Sequence, residues 1–225
     1  EGRNVKTPIN GQLGIGELRI TPLAQKLVNQ VLKSNRLSYG PFHRRLEKLF
    51  AKEHDVQYSL FTNSGTSALQ IALHALKSKF HWADVDEVIV PAVTFVATAN
   101  VVISCRMRPV FVDVEPEYYT IDPLKIAEKI TPRTRAIMPV HIAGLPCDMD
   151  PILEIARHHN LRIVEDSAEA MFVRYKGRPV GSFGDIGCFS TYAAHIITTG
   201  VGGLCVTSDP ELIVLLKSLM NHGRD

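Results

Sequence analysis

Apolar positions along the chain fall into short runs that alternate with longer stretches of helical period. Phe42, Leu46, Leu49 and Phe50 repeat at helical spacing in FHRRLEKLFAKEH and predict a helix over Phe42 to His54. Upstream, TPLAQKLVNQVLKS predicts another, with Thr21 as its cap and Pro22 in its first turn. RLSYGP between them reads as a turn. Downstream, YSLFTN predicts a strand, Thr66 to Lys77 a helix and DEVIVPA a strand. TFVATANVVISC predicts a helix despite its β-branched residues, because it must return the chain to the next strand, PVFVDVE. DPLKIAEKI predicts a helix, TRAIMPVHIAG a strand, Asp150 to His159 a helix and LRIVEDSA a strand. Strand and helix alternate throughout, which predicts one α/β domain of three layers, its sheet mostly parallel and covered on both faces. Ligands bind such sheets at the carboxyl ends of the strands, so the segments that follow strands hold the candidate chemistry.

Composition adds limits rather than chemistry. The chain has 225 residues, 45% hydrophobic and 21% charged, with a formal net charge of +2. Lysine and arginine are scattered, with no basic block, which argues against nucleic acid as a partner. Cys105, Cys147, Cys188 and Cys205 stand far apart, with no C-x-x-C pair for a zinc or redox motif, and no metal site is expected. Cys105 and Cys205 lie in strand-like apolar runs and read as reduced, buried thiols of a cytoplasmic protein. The opening EGRNVKTPINGQ has no apolar signal core. The apolar stretch from Val88 to Cys105 is broken by Pro91 and Asn100 and does not suit a membrane span.

Four segments follow strands and carry reactive or ligand-holding side chains. In FTNSGTSALQIALHALK, Asn63-Ser64-Gly65-Thr66-Ser67 ends a strand and opens a helix. Free N–H groups, a glycine and hydroxyls there make an anion site, although an ordinary N-cap uses the same residues. In PAVTFVATAN, Phe95 falls just past a strand end, where its face would cover a flat ring or pack into the core. In LRIVEDSAEAM, Asp166 closes a strand as a cap or as the partner of a cation, and Glu169 adds a second carboxylate. In FGDIGCFSTYAAHIITTGVGG, Ser190 offers a hydroxyl and His195 an acid or base near neutral pH, or a structural imidazole.

Taken together, these segments resemble the DegT/DnrJ/EryC1/StrS sugar aminotransferase family, whose members are fold-type-I enzymes of pyridoxal phosphate (PLP). RLSYGPFHRRLEKLFAKEH, NSGTSALQIAL, DEVIVPAVTFVATANVV, PVFVDVEPEYYTID, TPRTRAIMPVHIAGLPCDMD, IVEDSAEA and GSFGDIGCFS follow the family's blocks in order and spacing. The resemblance implies the large PLP-binding domain, a three-layer αβα unit around a seven-stranded sheet. On this reading residues 1–225 hold an N-terminal segment plus that domain, and a smaller C-terminal domain is expected beyond residue 225. It also implies a homodimer and a nucleotide-sugar substrate. Gly65, Thr66 and Ser190 would hold the cofactor phosphate, Phe95 would stack on the ring, and Asp166 would pair with its protonated nitrogen, which keeps the ring an electron sink.

One position departs from that pattern. Where the family's aminotransferases read roughly SFHATKNLTTGEGG, this chain reads STYAAHIITTGVGG, and His195 takes the place of the lysine. Imidazole forms no stable Schiff base with PLP, so the cofactor should be held non-covalently, most usefully as pyridoxamine phosphate (PMP). The replacement resembles a branch of the family, the PMP-dependent 3-dehydratases of nucleotide-linked 4-keto-6-deoxyhexoses in deoxysugar biosynthesis. Glu169 agrees with those dehydratases that recycle PMP with glutamate. Val201, in place of the glutamate of GEGG, and Ile196, in place of a second histidine, depart from them. Three functions are therefore weighed: a dehydratase with His195 as base, a nucleotide-sugar aminotransferase, and a catalytically inactive PLP-fold binding or regulatory protein. An iron–sulfur cluster beyond residue 225 and a reductase partner stay open.

Overall fold

Thr21 caps the first helix as its sequence predicts: its hydroxyl accepts the Ala24 N–H at 3.1 Å, and Pro22 occupies the first turn. The computed structural model describes residues 20–224. The opening EGRNVKTPINGQ, with its expected lack of a signal core, lies outside the described residues. Helix α1 (Pro22–Lys33) leads through a turn to α2 (Pro41–Glu53) and then to β1 (Tyr58–Thr62). The alternation follows as α3 (Gly65–Lys79), β2 (Glu87–Pro91), α4 (Val96–Ser104) and β3 (Arg108–Val112). Next come α5 (Pro123–Ile126), β4 (Thr134–Ile137), α6 (Met149–His158) and β5 (Arg162–Asp166). A small hairpin of β6 (Arg174–Tyr175) and β7 (Arg178–Pro179) precedes β8 (Ile186–Ser190), β9 (Gly203–Thr207) and α7 (Pro210–Met220).

The main sheet has seven strands in the order β1-β9-β8-β5-β4-β2-β3. Every neighbouring pair is parallel except those made by β9, which runs against both β1 and β8. Alternate strand residues feed two cores. Val88, Val90, Val164 and Ile186 pack with Leu73 and Leu76 of α3, Val101 and Val102 of α4 and Leu212 and Leu216 of α7. Ile89, Ile137 and Ile163 point the other way, to Ile126 of α5 and Met149 and Ile152 of α6. Phe189, Leu204 and Val206 extend that second face to Phe50 of α2. Three layers result, because the central strands β2, β5, β8 and β9 are buried on both sides, while the edge strand β3 is partly exposed. Among the described residues, no helix is long and apolar enough to cross a membrane.

Three local expectations change. TRAIMPVHIAG is a strand only over Thr134–Ile137. After it, Met138 N–H bonds to Ile89, Val140 bridges to Asp166, and Ile142–Gly144 forms a 3-10 turn with Ala143 in the left-handed region. DPLKIAEKI is one four-residue helical turn followed by a 3-10 turn at Ala127–Lys129. Cys105 is not on a strand: it caps the C-terminus of α4, while Cys205 lies in β9. All four cysteines are buried free thiols.

Candidate active site

The carboxyl ends of β1, β2, β5 and β8 open on one cavity of about 480 Å³. Its wall includes Gly65, Thr66, Phe95, Asp166, Glu169, Ser190 and His195, so every site residue expected from sequence reaches the same space.

The polar end of the cavity is the start of α3. Ser64 caps the helix, its hydroxyl accepting the Ser67 N–H at 3.0 Å. That leaves the Gly65 and Thr66 N–H groups at the open, positive end of the helix dipole, where an anion is favoured. Two close contacts show why glycines stand here. A Cβ on Gly65 would lie 2.8 Å from Ser190 Cβ, and one on Gly203 would lie 2.4 Å from the Ser64 carbonyl oxygen. The helix start is thus pressed against the end of β8 and the start of β9, and the Ser190 hydroxyl stands beside the N–H groups.

Asp166 ends β5 and is 4% exposed. Its Oδ2 accepts the Thr98 hydroxyl at 2.9 Å and its Oδ1 the Ala168 N–H at 3.3 Å. Burial raises its pKa above the usual carboxylate value, while the Thr98 and Ala168 bonds act against the rise. A carboxylate has about four acceptor sites, so two donors leave it short of partners, and a cation in the cavity would supply one. Its neighbour Glu165 points to the other face of the sheet and has a different task. It accepts the Gly181 and Gly184 N–H groups, each at 2.6 Å, and the His141 Nε2 proton at 3.1 Å. His141 Nδ1 accepts the Cys147 N–H, which fixes the proton on Nε2. The backbone N–H of His141 also holds the Asp166 carbonyl, so this buried cluster anchors the strand end that presents Asp166.

Phe95 is the N-cap residue of α4 and is 73% exposed, so its ring lies along the wall rather than in the core. The Glu169 carboxylate accepts the Ala143 N–H at 2.6 Å and holds the Ile142–Gly144 turn against the cavity. His195 lies on the segment between β8 and β9, with its N–H bonded to the Tyr192 carbonyl at 2.9 Å and its ring edge-on to Tyr192. Leu69, Ala97, Val140, Ile142 and Val201 complete an apolar wall. Among the described residues, neither lysine nor arginine lines the cavity. Sequence reasoning missed Thr98. The signal was its place three residues after Phe95, which puts both at the start of one helix.

These features suit an anionic, flat, ring-nitrogen ligand: a helix start for phosphate, an exposed aromatic face and a buried carboxylate for a protonated nitrogen. PLP and PMP have that set of groups.

Comparison with known proteins agrees. Residues 19–225 match the model of the DegT/DnrJ/EryC1/StrS aminotransferase family. The chain is 46% identical over 188 residues to a GDP-perosamine synthase of Caulobacter vibrioides, covering 84% of this chain and 50% of that protein. It is 43% identical over 197 residues to a UDP-N-acetyl-3-dehydro-alpha-D-glucosamine 3-aminotransferase of Acidithiobacillus ferrooxidans, covering 87% and 52%. Among solved structures, an aminotransferase from Psychrobacter cryohalolentis superimposes with a TM-score of 0.88 at 40% identity, covering 92% of this chain and 52% of that one. The E. coli GDP-4-keto-6-deoxy-D-mannose-3-dehydratase with bound hydrated PLP superimposes with a TM-score of 0.89 at 30% identity, covering 94% and 55%. The chain spans about half the length of the relatives it matches.

Proposed function

Because the chain belongs to the DegT/DnrJ/EryC1/StrS aminotransferase family, we propose that it forms the cofactor-binding part of a PMP-dependent 3-dehydratase. The substrate class is a nucleotide-linked 4-keto-6-deoxyhexose. The observation that supports this reading is that His195, which the sequence resemblance sets in the lysine's place, lines the cavity, while no lysine lines it among the described residues.

When bound, PMP supplies an amino group for the sugar's 4-ketone and a ring that accepts electron density. Each residue then has a part. The N–H groups of Gly65 and Thr66 and the Ser190 hydroxyl bind the phosphate. Phe95 covers one face of the ring. Asp166, oriented by Thr98, keeps the ring nitrogen protonated. His195 would take a proton from the cofactor carbon that bears the amine, C4′, and would return a proton to the departing C3 hydroxyl, which would leave as water. An imidazole suits this task because it is a base near neutral pH that does not compete with the substrate for a covalent bond. The apolar wall of Ile142, Val140 and Val201 limits water around the reacting atoms.

A second reading, a nucleotide-sugar aminotransferase, is favoured by one observation. Identity to the perosamine synthase is 46%, against 30% to the dehydratase. Product analysis separates the two. Incubation with PMP and a panel of GDP-, dTDP- and UDP-linked 4-keto-6-deoxyhexoses yields a 3-deoxy-4-keto sugar under our proposal. A 4-amino sugar that retains its C3 hydroxyl supports the aminotransferase and overturns the proposal. Binding of PMP with no turnover of any panel member supports a binding or regulatory protein instead. We further propose a homodimer with the site near its interface, to be tested by sedimentation at micromolar concentration.

A further inference from the structure

The segment that carries His195 leaves β8 at Ser190 and rejoins the sheet at Gly203. Its two ends are drawn into a neck. Thr191 N–H donates to the Gly202 carbonyl at 2.9 Å, and Thr199 N–H to the Thr191 carbonyl at 3.0 Å. The Thr191 and Thr199 hydroxyls are 2.7 Å apart, and Thr199 Oγ1 donates to the Val201 carbonyl at 2.9 Å. A hydroxyl has one proton, so Thr191 is the donor between the two threonines. Gly202 closes the neck: a Cβ there would lie 2.5 Å from Thr191 Oγ1 and 2.7 Å from Thr199 Oγ1. The next residue, Gly203, lies against the anion cradle, where a Cβ would come within 2.6 Å of Gly65 N.

Beyond the neck the segment's hydrogen bonds are short-range, although Ala193, Ala194 and His195 are half-buried. His195 N–H bonds to Tyr192, Gly200 N–H bonds to the Thr198 hydroxyl, and Ile196 and Ile197 are exposed. The place of the imidazole relative to the cradle is therefore inherited from the neck. Thr191 and Thr199 are not part of the cavity wall, so neither hydroxyl touches a ligand there.

We propose that the Thr191–Thr199 hydroxyl pair is a clamp that positions His195 over the cofactor, and that proton transfer depends on it although cofactor binding does not. This rests on the assignment of His195 as the base. A displacement of about 1 Å at a reacting group lowers a rate by on the order of a hundredfold.

Three variants test the clamp. Thr199→Val removes both hydroxyl bonds and keeps the side-chain shape. Thr199→Ser retains them. Gly202→Ala drives a methyl group between the two hydroxyls. We expect Thr199→Val to lower kcat by roughly tenfold to a hundredfold with KM and PMP affinity little changed, and Thr199→Ser to restore kcat. Gly202 itself lines the cavity, so Gly202→Ala is read only by the two measurements below that need no turnover. Two readouts need no turnover: amide hydrogen exchange over residues 192–201, and the rate at which diethyl pyrocarbonate modifies His195. Both should rise in Thr199→Val and Gly202→Ala and stay near the unsubstituted level in Thr199→Ser. Unchanged exchange and modification in Thr199→Val overturn the clamp, as does a loss of PMP affinity that parallels the loss of kcat. Full turnover in His195→Asn would instead sink the base assignment, and the loop measurements would still decide the clamp.

Discussion

Replacing Thr98 with Val tests how Asp166 is tuned. The substitution removes the hydroxyl that donates to Asp166 Oδ2 at 2.9 Å and leaves the side-chain shape almost unchanged. Asp166 is buried, burial raises its pKa, and the Thr98 bond is the largest influence acting against that rise. A hydrogen bond to a charged group of this kind is worth about 1.5–3 kcal/mol. In the proposed site, PMP binding would need the charged Asp166 carboxylate opposite the protonated ring nitrogen. At pH values where the free protein holds Asp166 protonated, binding must also ionise it, and losing the hydroxyl raises that cost by the value of the bond. The corresponding loss of affinity is roughly 10- to 150-fold. At higher pH, Asp166 is ionised with and without PMP, the hydroxyl serves both states alike, and its contribution cancels. Thr98→Val should therefore weaken PMP strongly on the acid side and converge on the unsubstituted protein as pH rises, whereas Thr98→Ser should not. The assay is a fluorescence titration of PMP at a series of pH values reaching the acid and alkaline limits at which the protein stays folded. Equal affinities at every pH would show that the hydroxyl has no part in tuning Asp166. A constant loss at every pH would show that its role is steric.

His195→Asn should keep PMP binding and lower turnover by about a hundredfold or more, and His195→Lys should give a PLP adduct at residue 195 that survives borohydride reduction. A reduced adduct in the unsubstituted protein, mapped to some other lysine, would contradict non-covalent binding. Gly65→Ala forces a methyl group to 2.8 Å from Ser190 Cβ, so PMP affinity should fall at least tenfold, by analogy with other overpacked sites, while circular dichroism stays unchanged. Wild-type affinity in that variant would remove Gly65 from the cradle. The His54 ring stacks on Phe50, with Phe172 and Phe189 also against it, and burial lowers its pKa below the ordinary 6.5. The unfolded chain thus takes up a proton below pH 6.5 that the folded protein refuses. Stability should be full above that pH and decline as pH falls toward the lowered value. Urea midpoints at several pH values should show this slope, and His54→Phe should flatten it.

Much of the site was legible because its residues sit immediately after strands, where sequence pattern and topology meet. Val164-Glu165-Asp166 reads as an apolar run ending in carboxylates, and Ser64-Gly65-Thr66 as a helix start, without reference to anything distant. The alternation of Glu165 and Asp166 across the sheet was also implicit in the period of two, but the partners of Glu165 were not. Gly181, Gly184 and His141 reach it from other parts of the chain. For the same reason the pairing of β9 was hidden, although Cys205 marks its segment as strand-like. It inserts antiparallel between β1 and β8, and only that long-range pairing turns Thr191, Thr199 and Gly202 into a neck. Overall likeness is a poor guide to the chemistry at such a site. Identity weights every position equally. The reaction turns on one group. A lysine amine at residue 195 would bond covalently to the cofactor and exchange with the substrate's nitrogen, while an imidazole moves protons and forms no such bond. Gly65, Phe95, Asp166 and His195 all face the same cavity, so under the proposed function exchange of that one side chain would redirect the chemistry from transfer of an amine toward loss of a hydroxyl.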